Sequence, residues 1–296
     1  MRAPLGGLFR HVHDLALGQA ELGADVGIAC DSTAGGPYCD VALSRLQDCC
    51  KLGVTRIPMA QKPHLSDWAV YRRIATLGRR MEIDVLHGHG AKGGAYARLA
   101  GKKLQKIKTK VVYTPHGGVV HHAPSSLSGK LYARLERRLA PLTHGLIFES
   151  MYAGNRYAEL VGRPNCPARV IYNGLQRHEF YESLLADDAV DFVYVGELRK
   201  LKGVDVFLKA LAQQQSVSRA RAIIVGSGPD EKYLKRLARR LGLRDHVTFT
   251  GPQPARTAFV RARCVVVPAR EESLSYIVLE AAAAQMPIIA TSAGGI

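Results

Sequence analysis

An α/β fold built on parallel sheets is what this sequence predicts, and three observations carry the prediction. Short apolar runs rich in valine and isoleucine alternate with segments of helical periodicity, the pattern of successive βαβ units. Turns bearing glycine and proline separate the two kinds of segment, as in "PHGG" at 115–118 and "GSGP" at 226–229. The alternation starts again beyond a turn-rich stretch near 174–189, so the 296 residues read as two domains of ordinary size, 1–175 and 176–296.

The first half opens with Gly6 and Gly7 turning into a helical stretch, "LFRHVHDLALGQAELG". Runs of β-branched and aromatic residues then predict strands at 25–30, 54–59, 84–89, 110–116, 145–150 and 168–174, with helices between them. In the second half, strands are expected at "VDFVYVGE" (190–197), "RAIIVGSG" (221–228), "HVTFTG" (246–251), "CVVVPA" (264–269) and "PIIAT" (287–291). The first of these is followed by the helical pattern "KGVDVFLKALAQ" and the second by "DEKYLKRLARRLG". Between "CVVVPA" and "PIIAT" lies a crossover helix, with Ser273 or Ser275 as its cap and Pro287 forbidding continuation after its end. That reading places Glu272 in the loop before the helix, at the C-terminal rim of a parallel sheet, and Glu280 about two turns along it. Open α/β sheets bind their ligands at that rim. Two Rossmann-like halves facing each other across a cleft are therefore expected. The strand that should feed the first glycine turn is absent, and "TSAGGI" stops just after a strand, so edge elements are expected to be missing from both domains.

Composition narrows the function. No run of about 18 apolar residues occurs, which excludes a membrane-spanning helix. No leader precedes the first motif, and six cysteines are scattered without paired metal spacing, so a reduced, cytoplasmic setting is expected. A formal charge of +16 calls for an anionic partner: nucleic acid, an anionic leaflet or phosphorylated substrates. The basic residues recur along helical stretches such as "YRRIATLGRR", "GKKLQKIKTK" and "LYARLERRL", without any nucleic-acid-binding signature. Amphipathic basic helices suit a membrane surface, and nucleic acid is not expected. Histidines pair at 11/13, 87/89 and 121/122, but no pair has a third ligand at a metal-site spacing, so no metal is expected. Serine hydrolysis is excluded by the lack of a Gly-x-Ser-x-Gly elbow.

Three stretches of the second half bring a family into view: "VGELRKLKGVDVFLKAL", "IIVGSGPDEKYLKRLARRLGLRDHVTFTG" and "VVVPAREESLSYIVLEAAAAQMPIIATSAGG". Their motifs and order resemble the retaining GT-B glycosyltransferases of family 4 (glycosyl transferases group 1), and the resemblance extends over nearly the whole chain. It implies that Glu272 and Glu280 are the family's E-x7-E pair, Glu280 accepting hydrogen bonds from ribose hydroxyls and Glu272 lying nearer the sugar ring. Backbone N–H groups around Ser275 and Tyr276 would face a diphosphate at the helix start, although Ser275 stands where the family usually has glycine. Gly196 would let the backbone approach the donor, and Lys202 would neutralise the leaving diphosphate. Glu197 replaces the family's arginine, and Arg199 is the expected substitute. In the first half, Gly7 matches the family's glycine loop and His116 its histidine beside the transferred sugar, while 87–94 is an expected acceptor-side loop.

The implied enzyme is a hexosyltransferase that takes a nucleotide-sugar such as a UDP-sugar, without cofactor or metal. The implied acceptor is a saccharide, lipid-linked at the inner face of a membrane, in lipopolysaccharide or other surface polysaccharide synthesis. The competing readings are a GT-B-type sugar-nucleotide epimerase and a non-catalytic nucleotide-sugar or nucleic-acid binding protein.

Overall fold

A computed structural model of the protein describes residues 1–4, 6–117, 126–215 and 218–296. It divides into two compact units, Met1–Tyr172 and Asn173–Ile296. Every strand expected from the sequence is present.

In the first unit β1 (Ile28–Asp31) and β2 (Val54–Ile57) form a parallel pair. A second, fully parallel sheet runs in the order β3 (Val85–His89), β4 (Lys110–Thr114), β5 (Gly145–Phe148), β6 (Ala168–Val170). Strand β4 stops two residues short of its expected end, because Pro115 has no N–H for the ladder and His116 turns left-handed, with φ of +52°. The opening helix Gly6–Glu21 begins at Gly6 itself, so Gly6 and Gly7 form its first turn rather than a loop before it.

The helix Gly90–Leu104 lies close on β4, and glycines make that approach possible. A Cβ on Gly94 would sit 2.2 Å from the Tyr113 ring, and one on Gly101 2.2 Å from Val111. Beneath them Arg98, with no exposed surface, reaches across to Glu136 of the helix Leu127–Leu139 with a bidentate pair of bonds of 2.6 and 3.0 Å. The Tyr113 hydroxyl donates to the same carboxylate at 3.1 Å, and the guanidinium stacks 4.1 Å over the Tyr113 ring. Paired in this way, both charges tolerate burial.

The second unit carries one five-stranded parallel sheet in the order β11-β10-β7-β8-β9, with β7 (Val190–Val195), β8 (Ala222–Val225), β9 (Val247–Gly251), β10 (Ala262–Val267) and β11 (Ile288–Ala290). Side chains alternate across it. Val193, Ile223 and Val225 pack with Phe259 and Ala281 on one face, while Tyr194, Ala222 and Ile224 pack with Phe207, Leu208 and Leu234 on the other. Both faces are covered by helices, which is why these strands read as continuous apolar runs.

Breaking the buried pair in the first unit tests the packing. Glu136→Gln strands the Arg98 charge, and the first unit is expected to lose about 3–5 kcal/mol of stability. The double change Arg98→Met with Glu136→Leu is expected to recover part of that loss in denaturant titrations.

Candidate active site

In the second unit the chain builds outward from β7 to β8 and β9, then returns to the other side for β10 and β11. The order reverses between β7 and β10, and their C-terminal ends mark the switch point at which open α/β sheets bind ligands. The loops leaving these two strands carry most of the residues singled out by sequence.

Backbone contact locks the two loops together. Gly203, after the 3₁₀ turn Lys200–Lys202, is left-handed at φ +68°, and a Cβ there would lie 1.8 Å from the Pro268 carbonyl oxygen. The Arg270 N–H donates to the Leu201 carbonyl at 2.8 Å. Its guanidinium grips Asp205 with bonds of 2.6 and 2.7 Å and donates to the Lys200 carbonyl at 2.7 Å. Held by these links, the Lys202 ammonium donates directly to the Glu272 carboxylate, 70 residues away in sequence. The Glu272 carbonyl accepts from the Gly295 N–H at 2.8 Å, and a Cβ on Gly294 (φ +65°) would come within 2.0 Å of that oxygen.

Glu272 precedes the helix Tyr276–Ala283, which starts from Ser275 in extended conformation. Of the two expected serines Ser275 is the cap residue by position, and its side chain makes no capping hydrogen bond. Its first turn carries no acid to oppose the positive end of the helix dipole. Tyr276 opens this helix and Glu280, half-buried, lies on its second turn. Gly196 follows β7 directly beneath the Tyr194 hydroxyl, which a Cβ would approach to 2.7 Å. The turn after β8 presses on the same loop, since a Cβ on Gly226 would lie 1.9 Å from the Gly196 carbonyl oxygen. Burial first, and then the Glu272 and Glu197 carboxylates, push the Tyr194 phenol pKa upward and keep it protonated. Arg199 is half-exposed and sits 3.4 Å from the Glu197 carboxylate, an exposed pair worth about 0–1 kcal/mol.

Gly7 and His116 lie in the first unit. Gly7 is exposed in the first turn of the helix Gly6–Glu21, one turn before His11. His116 is buried past the end of β4 in the left-handed region, a conformation a non-glycine residue keeps only where its surroundings impose it. Its Nε2 stands 3.2 Å from Nδ1 of His89 at the end of β3. The His11 ring lies 4.9 Å from that of His116 and 5.5 Å from that of His89. His87 stacks at 3.9 Å on His89, and its Nε2 is 2.9 Å from Thr114 Oγ1. Burial is the main cause that holds these rings neutral: His87 is pulled down to about 4, and His89 and His116 lie well below the usual histidine value.

This histidine group is the feature sequence reasoning missed. The sequence shows pairs at 11/13 and 87/89, whereas the fold takes one ring from each pair and adds His116. The legible signal was a His-x-His closing one parallel strand and a histidine just past the end of the next. His121 and His122 lie outside the described residues.

The family models match both halves: Glycosyltransferase Family 4 over residues 5–178, and Glycosyl transferases group 1 over residues 176–296. The chain belongs to Glycosyltransferase Family 4. It is 24% identical to an uncharacterized glycosyltransferase of Methanocaldococcus jannaschii, across 99% of this chain and 78% of the relative. It is 28% identical to the putative glycosyltransferase EpsD of Bacillus subtilis, across 93% and 73%. Among solved structures, HepE of Anabaena in complex with UDP and glucose aligns with a TM-score of 0.79 at 18% identity, over 99% of this chain and 78% of that one. WaaG, a glycosyltransferase involved in lipopolysaccharide biosynthesis, aligns with a TM-score of 0.73 at 18% identity, over 99% and 80%. At such identity these likenesses establish the GT-B fold.

The transferase thus assembles, at the rim of its second unit, an ammonium, a carboxylate and the positive end of a helix. Such a set suits an anion bound against the helix start, provided that the anion displaces Glu272 from Lys202. Arg270 and Asp205 hold that rim in shape. Hydrogen bonds from Arg270 keep the Asp205 carboxyl below its ordinary range, so its contribution to stability is present above the unfolded value near 3.9 and is lost as pH falls through the lower folded value. Arg270→Ala is expected to cost about 1 kcal/mol at neutral pH. Acid unfolding of the variant, followed by circular dichroism, is expected to depend less steeply on pH below about 4.

Proposed function

We propose that this glycosyltransferase moves a sugar from a nucleoside-diphosphate donor to a lipid-linked saccharide, with retention of the anomeric configuration. One observation carries the reading: the Lys202–Glu272 pair stands at the switch point, four residues before a helix that bears Glu280 on its second turn. Glu280 accepts hydrogen bonds from the ribose hydroxyls, and the N–H groups at Ser275 and Tyr276 receive the diphosphate. On donor binding the phosphate replaces Glu272 as the partner of Lys202. Lys202 then neutralises the departing charge and Glu272 turns to the sugar. Gly196 leaves room for the donor against the backbone, and Arg199, released from its weak exposed pair with Glu197, adds positive charge. Gly7 and His116 serve the sugar and acceptor side. The acceptor hydroxyl attacks on the face that the diphosphate leaves, and the leaving phosphate oxygen takes its proton. HepE, whose structures hold UDP, UDP and glucose, and UDP-glucose, supports a uridine donor.

A membrane-surface acceptor is supported by the helix Leu127–Leu139. Leu127, Leu131 and Leu135 are 87%, 57% and 39% exposed and recur every four residues, so they lie along one ridge. Lys130, Arg134 and Arg138 are exposed beside them. An apolar ridge flanked by basic residues fits an anionic interface. No helix among the described residues is long and apolar enough to cross a membrane.

Calorimetry with UDP, GDP and ADP tests the donor site: Glu280→Ala is expected to weaken binding of the preferred nucleotide by ~1.5–3 kcal/mol. An unchanged affinity removes Glu280 from the site. Lys202→Ala is expected to cut turnover far more than stability, while EDTA leaves wild-type turnover intact; inhibition by EDTA that Mg²⁺ reverses counts against a lysine-based leaving-group site. Product analysis excludes the epimerase reading if sugar appears on an acceptor. On phosphatidylglycerol vesicles the protein is expected to co-sediment, to detach as salt rises, and to bind more weakly after Leu127→Ser with Leu131→Ser. Equal partitioning onto neutral vesicles would falsify the membrane reading.

A further inference from the structure

Three imidazoles from three separate segments converge in the first unit. His11 comes from the helix Gly6–Glu21, His89 from the end of β3, and His116 from the left-handed residue past β4. One ring nitrogen of each lies within 4.8 Å of the others. His89 Nδ1 and His116 Nε2 stand 3.2 Å apart. Two nitrogens bound to one tetrahedral zinc at about 2.0–2.1 Å would be separated by about 3.3 Å, so this pair already has chelating spacing. His11 needs to close by no more than about 1.5 Å to complete the trio, a side-chain adjustment on a half-buried helix face.

We propose that His11, His89 and His116 bind one divalent ion of the zinc class, with its remaining position open. The donor chemistry selects the ion. Among the described residues the donors are three imidazoles and no carboxylate, a set that suits zinc, cobalt, nickel or copper and gives Mg²⁺ and Ca²⁺ none of the oxygen ligands they require. Three protein ligands with one open position is the ligand count of a site that accepts a further group. The surroundings hold the rings in place: His87 stacks on His89 and is itself bonded to Thr114, while the left-handed backbone at His116 fixes where its ring starts. The site lies within the first unit and shares His116 with the sugar side of the proposed transfer, so an ion bound there competes with the sugar for that ring. Cobalt titration reads ion binding alone, so the two readings fail separately. It uses the Nε2 atom through which His116 meets His89, so an ion there replaces that hydrogen bond by two metal bonds.

The test uses the full, tag-free chain, stripped with chelator and titrated with Co²⁺ under visible absorption. One ion per chain is expected, with the ligand-field bands of a low-coordinate nitrogen site and no thiolate-to-cobalt charge-transfer band. Zn²⁺ is expected to displace it and Mg²⁺ to leave it in place. His11→Ala is expected to weaken binding by at least the ~10–100-fold that loss of an outer-shell partner alone costs, and His89→Gln likewise. His13→Ala, on the same helix but outside the trio, is expected to bind as the parent does. His11 is half-exposed on its helix, so its variant keeps the test decisive even if the buried His89→Gln chain misfolds; circular dichroism checks both. Absence of bound ion, a thiolate band, or an affinity unmoved by His11→Ala overturns the proposal.

Discussion

Close backbone contact at the rim of the second unit is the constraint on which its chemistry depends. Gly203 against Pro268, Gly226 against Gly196, and Gly294 against Glu272 are approaches that any Cβ would block, at 1.8, 1.9 and 2.0 Å. Side-chain packing cannot bring loops this near, because each side chain adds its own thickness between the chains. With the carbons removed, the loops after β7, β8, β10 and β11 share one rigid surface. A lysine from the first of them then meets a glutamate from the third. Preorganisation of this kind lets an ammonium and helix amides stabilise charge without moving during reaction.

Two of the glutamate–cation pairs show how burial separates structure from chemistry. Arg98 and Glu136 are sealed, bidentate and joined by Tyr113, so nothing from solvent competes for either. Lys202 and Glu272 are 29% and 13% exposed, joined by a single bond, and placed at the switch point. Both groups stay within reach of water, so an anion in solution has access to the lysine. A glutamate with a basic partner therefore braces a core in one unit and forms a solvent-accessible contact in the other.

In the first unit, burial acts on histidine instead. Desolvation keeps His87, His89 and His116 uncharged at neutral pH, and an uncharged imidazole offers a lone pair. Pro115 and the left-handed turn at His116 end β4 and lift that ring out of the ladder toward its neighbours from β3 and the first helix. A strand continued to 116 would have placed the ring by the alternation of the sheet.

The α/β class, the eleven strands and the placing of Glu272 before its helix with Glu280 upon it were all legible in the sequence, because apolar periodicity and turn residues act locally. The family was legible because its motifs are short, ordered and contiguous. Strand ends were less so: β10 begins at Ala262, before its apolar run, because β7 pairs it from there. Only the tertiary structure decided that Lys202 faces Glu272 across 70 residues, that Arg270 clamps Asp205, that the Ser275 side chain makes no capping bond, and that His11, His89 and His116 converge. Each of these depends on strand order and on how closely glycines let loops approach. Neither leaves a period in the sequence, since parallel strands become neighbours only after crossovers whose length says nothing of which edge they join.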